Sequence, residues 1–378
     1  MKIVITGGHF SPAYAVLKKF IKDEEILVIG RKYAFEGDKS ETLEYKLCKK
    51  ENIPFISIKT GRLQRSITRH TIPSIFRFPN GIYEVVKVLK RERPNVVLTF
   101  GGYIGLAVAV GAFILKIPVV LHEQTQKAGL SSRLISKFAK VVCISYKSSE
   151  RFFKGKKVVF TGNPIREEIF DYKDMNISTA NPIIYITGGS TGSHIINEIV
   201  FQIVEKLVEN YTVVHQVGNA SQYNDFEKLS EKKKSLDNKF RGRYIIKDFF
   251  EPYEVGWLLH NASLTVSRSG ANTINELLAV GAVSLLIPLP HGQANEQLDN
   301  AMLFKEVGLG EYIEQKDLNP NILHRAISDM IDNKGNYIKN RKKAEEFMHK
   351  SASEKIIEQV LLYGRSSRQG FSNTKDSI

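Results

Sequence analysis

The chain has 378 residues, of which 42% are hydrophobic and only two are cysteines. This length predicts two domains, and the apolar fraction excludes a disordered or collagen-like chain. Two cysteines cannot form a disulfide scaffold, so a reducing compartment is expected. The apolar run at residues 3–5 is too short for a secretory signal and predicts a buried first strand.

The positive charge is concentrated in the first half. Residues 1–170 contain 30 basic and 14 acidic residues (net +16), whereas residues 171–378 contain 24 and 26 (net −2). The first half is therefore expected to face an anionic partner, and nucleic acid, an anionic membrane or a phosphorylated substrate would each fit. A lysine-rich surface that serves only solubility would have the same composition.

Short β-branched runs alternate with helical patterns along the chain, which predicts βαβ units and parallel sheets. A first series of predicted strands comprises Lys2–Thr6, Ile26–Gly30, Phe55–Ile58, Val96–Phe100, Pro118–Leu121 and Val141–Ser145. A second series comprises Ile183–Thr187, Thr212–Gln216, Tyr244–Lys247, Leu264–Ser267 and Val283–Pro288. A strand-poor polar stretch separates the two series. The fold class is thus α/β, with two Rossmann-like domains facing each other.

The domain boundaries follow from the same pattern. Residues 1–170 are predicted to form the first domain and residues 171–363 the second, with the last helices able to pack back on the first. Residues 364–378 are predicted to be a disordered tail. The apolar stretch 104–121 has nearly the length of a membrane span, but Lys116 and Pro118 interrupt it. It predicts a buried helix followed by a buried strand.

Three glycine turns follow predicted strands: Thr6-Gly7-Gly8-His9, Gly101-Gly102-Tyr103, and residues 187–193 with the sequence TGGSTGS. Glycine lets the backbone approach a ligand closely, and the free amides at a helix start attract anions. One such turn is equally compatible with a tight connection. Three turns at the carboxyl ends of strands predict an anion site.

The sequence contains no motif for a dinucleotide cofactor, a P-loop nucleotide or a metal. No G-x-G-x-x-G or P-loop motif occurs, and no Cys/His cluster suggests a metal, so neither a cofactor nor a metal is expected. His9 stands where a reacting hydroxyl would meet the first turn, and its ordinary pKa suits a general base. His122, Glu123 and Gln124 follow a predicted strand and are either loop caps or ligand contacts.

The segment from Ser267 to Leu278 is the richest in polar candidates. Ser269 is predicted to cap a helix whose N-terminus favours a diphosphate. Asn272, Thr273 and Glu276 share one helical face, where the Glu276 carboxylate could accept hydrogen bonds from two ribose hydroxyls. An exposed helix face would satisfy the same residues.

Taken together, the segments TGGH, HEQ, TGNP, ITGGSTGS, HQVG, SRSGA and ANEQLDNA resemble the MurG family of UDP-N-acetylglucosamine transferases. The resemblance covers about residues 1–360. It implies the GT-B fold, two Rossmann-like domains with a cleft between them, and an inverting, metal-independent reaction. The reaction implied moves N-acetylglucosamine to the C4 hydroxyl of undecaprenyl-diphosphate-linked N-acetylmuramyl-pentapeptide, in peptidoglycan synthesis.

The resemblance also implies roles for individual residues, with His9 as the catalytic base. On the donor side it implies Thr6, Gly7, Gly8, Arg166, Ser190, Phe250 (through its main chain, to uracil), Ser269, Ala271, Asn272, Thr273, Ile274, Asn275, Glu276 (to ribose) and Gln297 (to the sugar). On the acceptor side it implies Gly101, Gly102, Tyr103, His122, Glu123, Gln124 and Thr125. The first turn is shorter than in the family, and Thr125 replaces an asparagine, so the acceptor side departs most from the pattern.

The expected partners are UDP-N-acetylglucosamine, the lipid-linked acceptor and an anionic membrane surface, without nucleic acid. Ile72, Ile75, Phe76 and Phe78 lie among arginines and predict an interfacial patch, hence a peripheral membrane protein. The resemblance implies the cytoplasmic face of the bacterial membrane. The sequence leaves the oligomeric state undetermined. It also leaves open a UDP-sugar:lipid transferase, a UDP-N-acetylglucosamine 2-epimerase and a non-catalytic UDP-sugar-binding subunit.

Overall fold

A computed structural model describes residues 1–8, 10–20, 23–33, 41–58, 71–189, 192–218, 223–290, 295–347 and 351–372, with the backbone alone for 43, 71–78, 346 and 367–372. The chain divides into two compact units. The first contains Met1–Ile165 together with the chain from His349 onward, and the second contains Arg166–Met348.

The first unit is a parallel sheet covered by helices. Its strands are β1 (Lys2–Gly7), β2 (Glu25–Gly30), β3 (Phe55–Ser57), β4 (Val96–Phe100), β5 (Val119–Glu123), β6 (Val141–Ile144) and β7 (Val158–Phe160). Its helices are α1 (Phe10–Phe20), α2 (Leu43–Lys50), α3 (Thr71–Glu92), α4 (Gly102–Ile114), α5 (Leu130–Ser136) and, from the C-terminus, α15 (Ala352–Ser372). The strand order in the described residues is β3-β2-β1-β4-β5-β6-β7.

The second unit repeats this plan. Its strands are β8 (Ile183–Thr187), β9 (Thr212–Gln216), β10 (Tyr244–Lys247), β11 (Leu264–Ser267), β12 (Ser284–Leu286) and β13 (Gly310–Tyr312), in the order β10-β9-β8-β11-β12-β13 among the described residues. Its helices are α6 (His194–Asn210), α7 (Asp225–Ser235), α8 (Asn238–Arg241), α9 (Pro252–Asn261), α10 (Ala271–Val280), α11 (Glu296–Val307), α12 (Pro320–Asp332), α13 (Lys334–Ile338) and α14 (Arg341–Ala344).

Burial on both faces explains why the central strands are almost continuously apolar. Every residue of β4 is buried, because α3, α4 and α5 cover one face of the sheet while α1 and α15 cover the other. Helix α15 contributes Ile356 and Val360 to this second layer. The C-terminal helix is therefore part of the first unit's core.

Each sheet reverses its strand order beside its first strand. In the first unit β1 lies between β2 and β4, and in the second β8 lies between β9 and β11. All these pairs are parallel, so each pair opens a crevice at its carboxyl ends, the usual ligand position in this class of fold. The glycine turns follow β1, β4 and β8, and they therefore lie at these two crevices.

The structure agrees with most of the predicted elements and differs at the ends. The stretch 104–121 forms most of α4 and the start of β5, as expected. No helix in the described residues is long and apolar enough to span a bilayer. The second unit begins at Arg166 instead of residue 171, and the chain returns to the first unit near His349. Helix α15 continues to Ser372, so residues 364–372 are helical and differ from the predicted tail; residues 373–378 lie outside the description.

Candidate functional site

The glycine turn after β8 forms the centre of the second unit's crevice. Helix α6 begins at His194, with Ser193 as its N-cap. The Gly189 amide donates to Thr187 Oγ1 at 3.0 Å, and the Gly189 carbonyl accepts from the Gly192 amide at 3.1 Å. The turn thus closes just before the positive end of a 17-residue helix. The predicted donor residue Ser190 lies in this turn but outside the described residues.

Arg268 follows β11 and places a partly buried guanidinium at the same crevice. Its Nη2 donates to Ser193 Oγ and to Gln315 Oε1, both at 2.8 Å, and its Nη1 donates to the Ile287 carbonyl at 3.1 Å. Burial lowers the pKa of Arg268 to about 10, so the side chain stays charged at neutral pH. Over the described ranges, no carboxylate forms an ion pair with it. An anion beside the α6 N-terminus would neutralise this charge.

Arg166 and Glu276 form the second charged feature of this unit. Glu276 Oε1 accepts from Arg166 Nε at 2.9 Å and from Nη2 at 2.7 Å, and the two side chains are 19% and 12% exposed. Burial opposes the charge on Arg166, but the neighbouring Glu276 carboxylate outweighs it and raises the pKa of the guanidinium. Both residues were predicted on the donor side, and the structure brings them together. Arg166 therefore fixes the direction of the carboxylate.

The start of α10 differs from the predicted cap. Gly270 is the N-cap, and the Ser269 hydroxyl donates instead to the Gln297 carbonyl at 2.7 Å, so the capping prediction is wrong. Ser269 is fully buried, because α11 packs against α10 at this point. Gln297 Oε1 in turn accepts from the Leu289 amide at 2.9 Å, so the Gln297 side chain is bonded to the loop that follows β12.

The remaining α10 candidates divide by burial. The side chain of Ile274 is fully buried in the core, and Asn275 Nδ2 donates to the Ala271 carbonyl at 2.7 Å. Thr273 is half-buried. Asn272 Oδ1 is buried and has no hydrogen-bond partner among the described residues. A buried acceptor without a partner is costly, so Asn272 is the residue of this group that most favours contact with a ligand.

Phe250 is fully buried, main chain included. Its side chain is fully buried, against Tyr185 with ring centroids 6.1 Å apart and with Lys247 Nζ 5.1 Å from the ring. The Phe250 amide donates to Gln216 Oε1 at 3.1 Å. The main-chain contact to uracil that the resemblance implies stays a prediction.

In the first unit, the glycine turns after β1 and β4 are packed against each other. The Gly8 amide donates to the Gly101 carbonyl at 3.2 Å. A Cβ on Gly102, whose φ is +77°, would lie 2.8 Å from the Gly8 nitrogen. Two backbones approach so closely here that a side chain has no room. Thr6 is buried in β1 below the turn. The predicted base, His9, lies outside the described residues.

The predicted acceptor residues His122 and Glu123 lie inside β5, so their placement in a loop after the strand is wrong. His122 is buried, with Nε2 3.2 Å from the Gly162 carbonyl and from Ser145 Oγ. The strand extends because Ser145 and Glu123 continue the β5–β6 pairing. His122 thus holds two strand ends together.

The end of this strand is a buried polar group formed by Glu123, Gln124 and Thr125. Glu123 Oε1 accepts from the Thr125 amide at 2.9 Å and lies 2.6 Å from its hydroxyl. Gln124 Oε1 is buried without a hydrogen-bond partner in the described residues. Tyr103, which follows the third turn, lies with its ring 5.2 Å from the Arg31 guanidinium. Among these residues Gln124 has the acceptor atom that most needs a ligand.

Sequence reasoning gave Ser193 and Gln216 no individual role, although both lie in segments that carry the resemblance, and it missed Gln315 altogether. Gln315 lies 47 residues after Arg268, and only the fold brings them together. Gln216 could have been identified, because it is the last residue of a predicted strand and thus stands at the ligand edge.

Two Rossmann-like units, each with a crevice at its strand order reversal, define the GT-B class of fold. Residues 4–144 match the glycosyltransferase family 28 N-terminal domain, and residues 183–360 match the family 28 C-terminal domain. The chain belongs to glycosyltransferase family 28.

Relatives extend the match over nearly the whole chain. A protein from Clostridium novyi (strain NT) is 31% identical over 376 residues, covering 95% of this chain and 97% of its own length. One from Acetivibrio thermocellus is 32% identical, with 95% and 97% covered. Both are named UDP-N-acetylglucosamine–N-acetylmuramyl-(pentapeptide) pyrophosphoryl-undecaprenol N-acetylglucosamine transferase.

Solved structures agree on the fold. The crystal structure of MurG from Acinetobacter baumannii superimposes with a TM-score of 0.66 at 21% identity, covering 95% of this chain and 98% of that one. A UDP-GlcNAc 2-epimerase from Neisseria meningitidis, bound to UDP-GlcNAc, gives 0.64 at 15% identity, with 96% and 100% covered. Likeness at this level shows the fold alone, so the fold is common to both activities.

Proposed function

We propose that this chain is an inverting glycosyltransferase that moves N-acetylglucosamine from UDP-N-acetylglucosamine to the C4 hydroxyl of undecaprenyl-diphosphate-linked N-acetylmuramyl-pentapeptide. The relatives named above have this activity in their names. The observation that carries the proposal is Arg268, a partly buried cation bound to neutral groups beside a glycine turn and a helix N-terminus. A nucleotide diphosphate supplies the anion that this arrangement lacks.

The donor is held by the second unit. In this proposal its diphosphate lies at the glycine turn after β8, its ribose hydroxyls donate to Glu276, and its base contacts the Phe250 main chain. Arg166 holds the Glu276 carboxylate through one oxygen, Oε1. Oε2 is then the oxygen that accepts from the ribose in this proposal. Gln297 contacts the sugar with its Nε2, since its Oε1 is bonded to Leu289.

The reaction is an in-line displacement at the anomeric carbon. The acceptor C4 oxygen forms the new bond to this carbon as the bond to the β-phosphate oxygen breaks, and His9 takes the hydroxyl proton. UDP leaves with the added charge, which Arg268 and the amides at the α6 N-terminus stabilise. Gly101, Gly102 and Gln124 belong to the acceptor side in the first unit.

Product analysis tests this proposal. The purified chain is incubated with UDP-N-acetylglucosamine, with and without the lipid-linked acceptor, and both UDP and the sugar nucleotides are measured. UDP release that requires the acceptor, and that falls about a hundredfold in Arg268→Met, is expected. Acceptor-independent formation of an epimeric UDP-sugar would identify an epimerase, and UDP-sugar binding without turnover would identify a binding subunit.

We further propose that the first unit binds an anionic membrane surface, as a lipid-linked acceptor requires. The predicted patch side chains at 72–78 lie outside the description, but Phe113 and Ile114 at the end of α4 are 59% and 56% exposed. Phe113 lies beside Phe138 with ring centroids 5.2 Å apart, and Lys116 and Lys137 are exposed close to them in sequence. Apolar side chains flanked by cations suit a bilayer interface.

Sedimentation with anionic vesicles tests this part. Binding is expected to weaken with added salt, because each nearby cation contributes about 1 kcal/mol on anionic lipid. It is also expected to weaken in Phe113→Glu plus Ile114→Glu, because this double variant replaces the exposed apolar side chains by carboxylates. Phe201 and Met302 are 40% and 52% exposed in the second unit, so Phe201→Glu plus Met302→Glu is the matched control. Equal loss in both double variants would contradict a surface located on the first unit.

A further inference from the structure

Gln216 stands at the carboxyl end of β9, between the glycine turn and the Phe250 backbone. It is the register partner of Thr187 and is 4% exposed. Its Nε2 donates to the Gly189 carbonyl at 2.9 Å and to Thr187 Oγ1 at 3.2 Å, while its Oε1 accepts from the Phe250 amide at 3.1 Å. One side chain thus connects the loops that follow three neighbouring strands, β8, β9 and β10.

The partners fix the orientation of this amide group. The Phe250 N–H can only donate, so it must face the oxygen of Gln216, and the Gly189 carbonyl can only accept, so it must face the nitrogen. If the amide were flipped, its NH2 group would face the Phe250 N–H and its oxygen would face the Gly189 carbonyl, and neither pair can form a hydrogen bond. The same Gly189 carbonyl accepts from the Gly192 amide, so Gln216 bonds to the group that closes the turn. The connection is specific to glutamine.

We infer that Gln216 is a positioning residue that fixes the spacing between the base subsite at Phe250 and the diphosphate subsite at the glycine turn. The inference rests on the proposed function, which assigns those two subsites. A nucleoside diphosphate spans both, so its affinity depends on their relative placement as well as on each contact. A ligand that occupies only one subsite is insensitive to that spacing.

Fragment binding separates this role from simple support of the fold. The full chain is titrated with UDP, uridine and pyrophosphate, for the wild type and for Gln216→Met, which keeps the length of the side chain without its hydrogen bonds. UDP affinity is expected to fall about tenfold, equivalent to about 1.4 kcal/mol, while uridine and pyrophosphate affinities stay within about twofold.

Gln359→Met is the matched control, because Gln359 is also a buried glutamine but lies on α15 in the first unit. It should leave UDP affinity unchanged. If Gln216→Met does not fold, Gln216→Asn keeps an uncharged amide, but its side chain is one methylene shorter and cannot reach both Gly189 and Phe250. That variant should weaken UDP while uridine and pyrophosphate binding are retained.

The outcomes distinguish the inference from the function on which it rests. Unchanged UDP affinity in the folded variant, or an equal loss for UDP, uridine and pyrophosphate, would overturn the positioning role. Failure of the wild type to bind UDP at all would refute the proposed function instead.

Discussion

The ion pair between Arg166 and Glu276 is expected to contribute both to the stability of the second unit and to donor binding, so its disruption should lower both. Glu276→Ala leaves the buried Arg166 guanidinium without its counter-charge, and breaking a buried pair in this way costs about 3–5 kcal/mol. For a unit the size of Arg166–Met348 this corresponds to a fall of about 6–20 °C in Tm. The lost charged hydrogen bond to ribose should also weaken UDP binding about ten- to hundredfold.

A paired replacement separates the two effects. Arg166→Met with Glu276→Leu removes both charges and restores apolar contact, so most of the lost stability should return. UDP affinity should remain as low as in Glu276→Ala, because no carboxylate faces the ribose. Differential scanning calorimetry gives Tm, and isothermal titration gives Kd. Unchanged Tm in Glu276→Ala would refute the structural pairing, and full recovery of UDP affinity in the double variant would refute the ribose contact.

Three further predictions follow from other parts of the chain. Burial lowers the pKa of His215 to about 3, so between pH 6.5 and 3 the unfolded state binds a proton that the folded state does not. The free energy of unfolding should therefore decrease as the pH is lowered across this window, by up to about 1.4 kcal/mol per pH unit. Denaturant titrations should show that His215→Gln flattens this slope, and an unchanged slope would assign it to other groups. Gly102→Ala should lower both Tm and turnover, since its Cβ would meet the Gly8 nitrogen, whereas Gly129→Ala, where a Cβ meets nothing within 4 Å, is the control expected to be neutral. His9→Ala should reduce turnover by about 10²–10⁴-fold with little change in UDP affinity; near-normal turnover would assign the base to another residue.

The sequence alone predicted every central strand, because strands buried on both faces must be continuously apolar and are then easy to recognise. It missed β7 and β13, which are three residues long and lie at the sheet edges. Three residues carry no periodic pattern of their own, so such strands are easily missed; β3, an equally short edge strand, was predicted within the apolar run Phe55–Ile58. The end of β5 was missed for a related reason, since its polar residues His122 and Glu123 are paired with β6.

For the site, local sequence determined the turns and the charged residues, since glycines and helix starts follow strands at fixed, short distances along the chain. Only the tertiary structure decided which of these residues meet. Arg166 is 110 residues from Glu276, and Arg268 is 75 from Ser193. Ser269 loses its expected capping role because α11 brings the Gln297 carbonyl to its hydroxyl. Side-chain partners across such distances depend on how parallel strands are ordered in the sheet, and hydrophobic patterning along the chain does not encode that order.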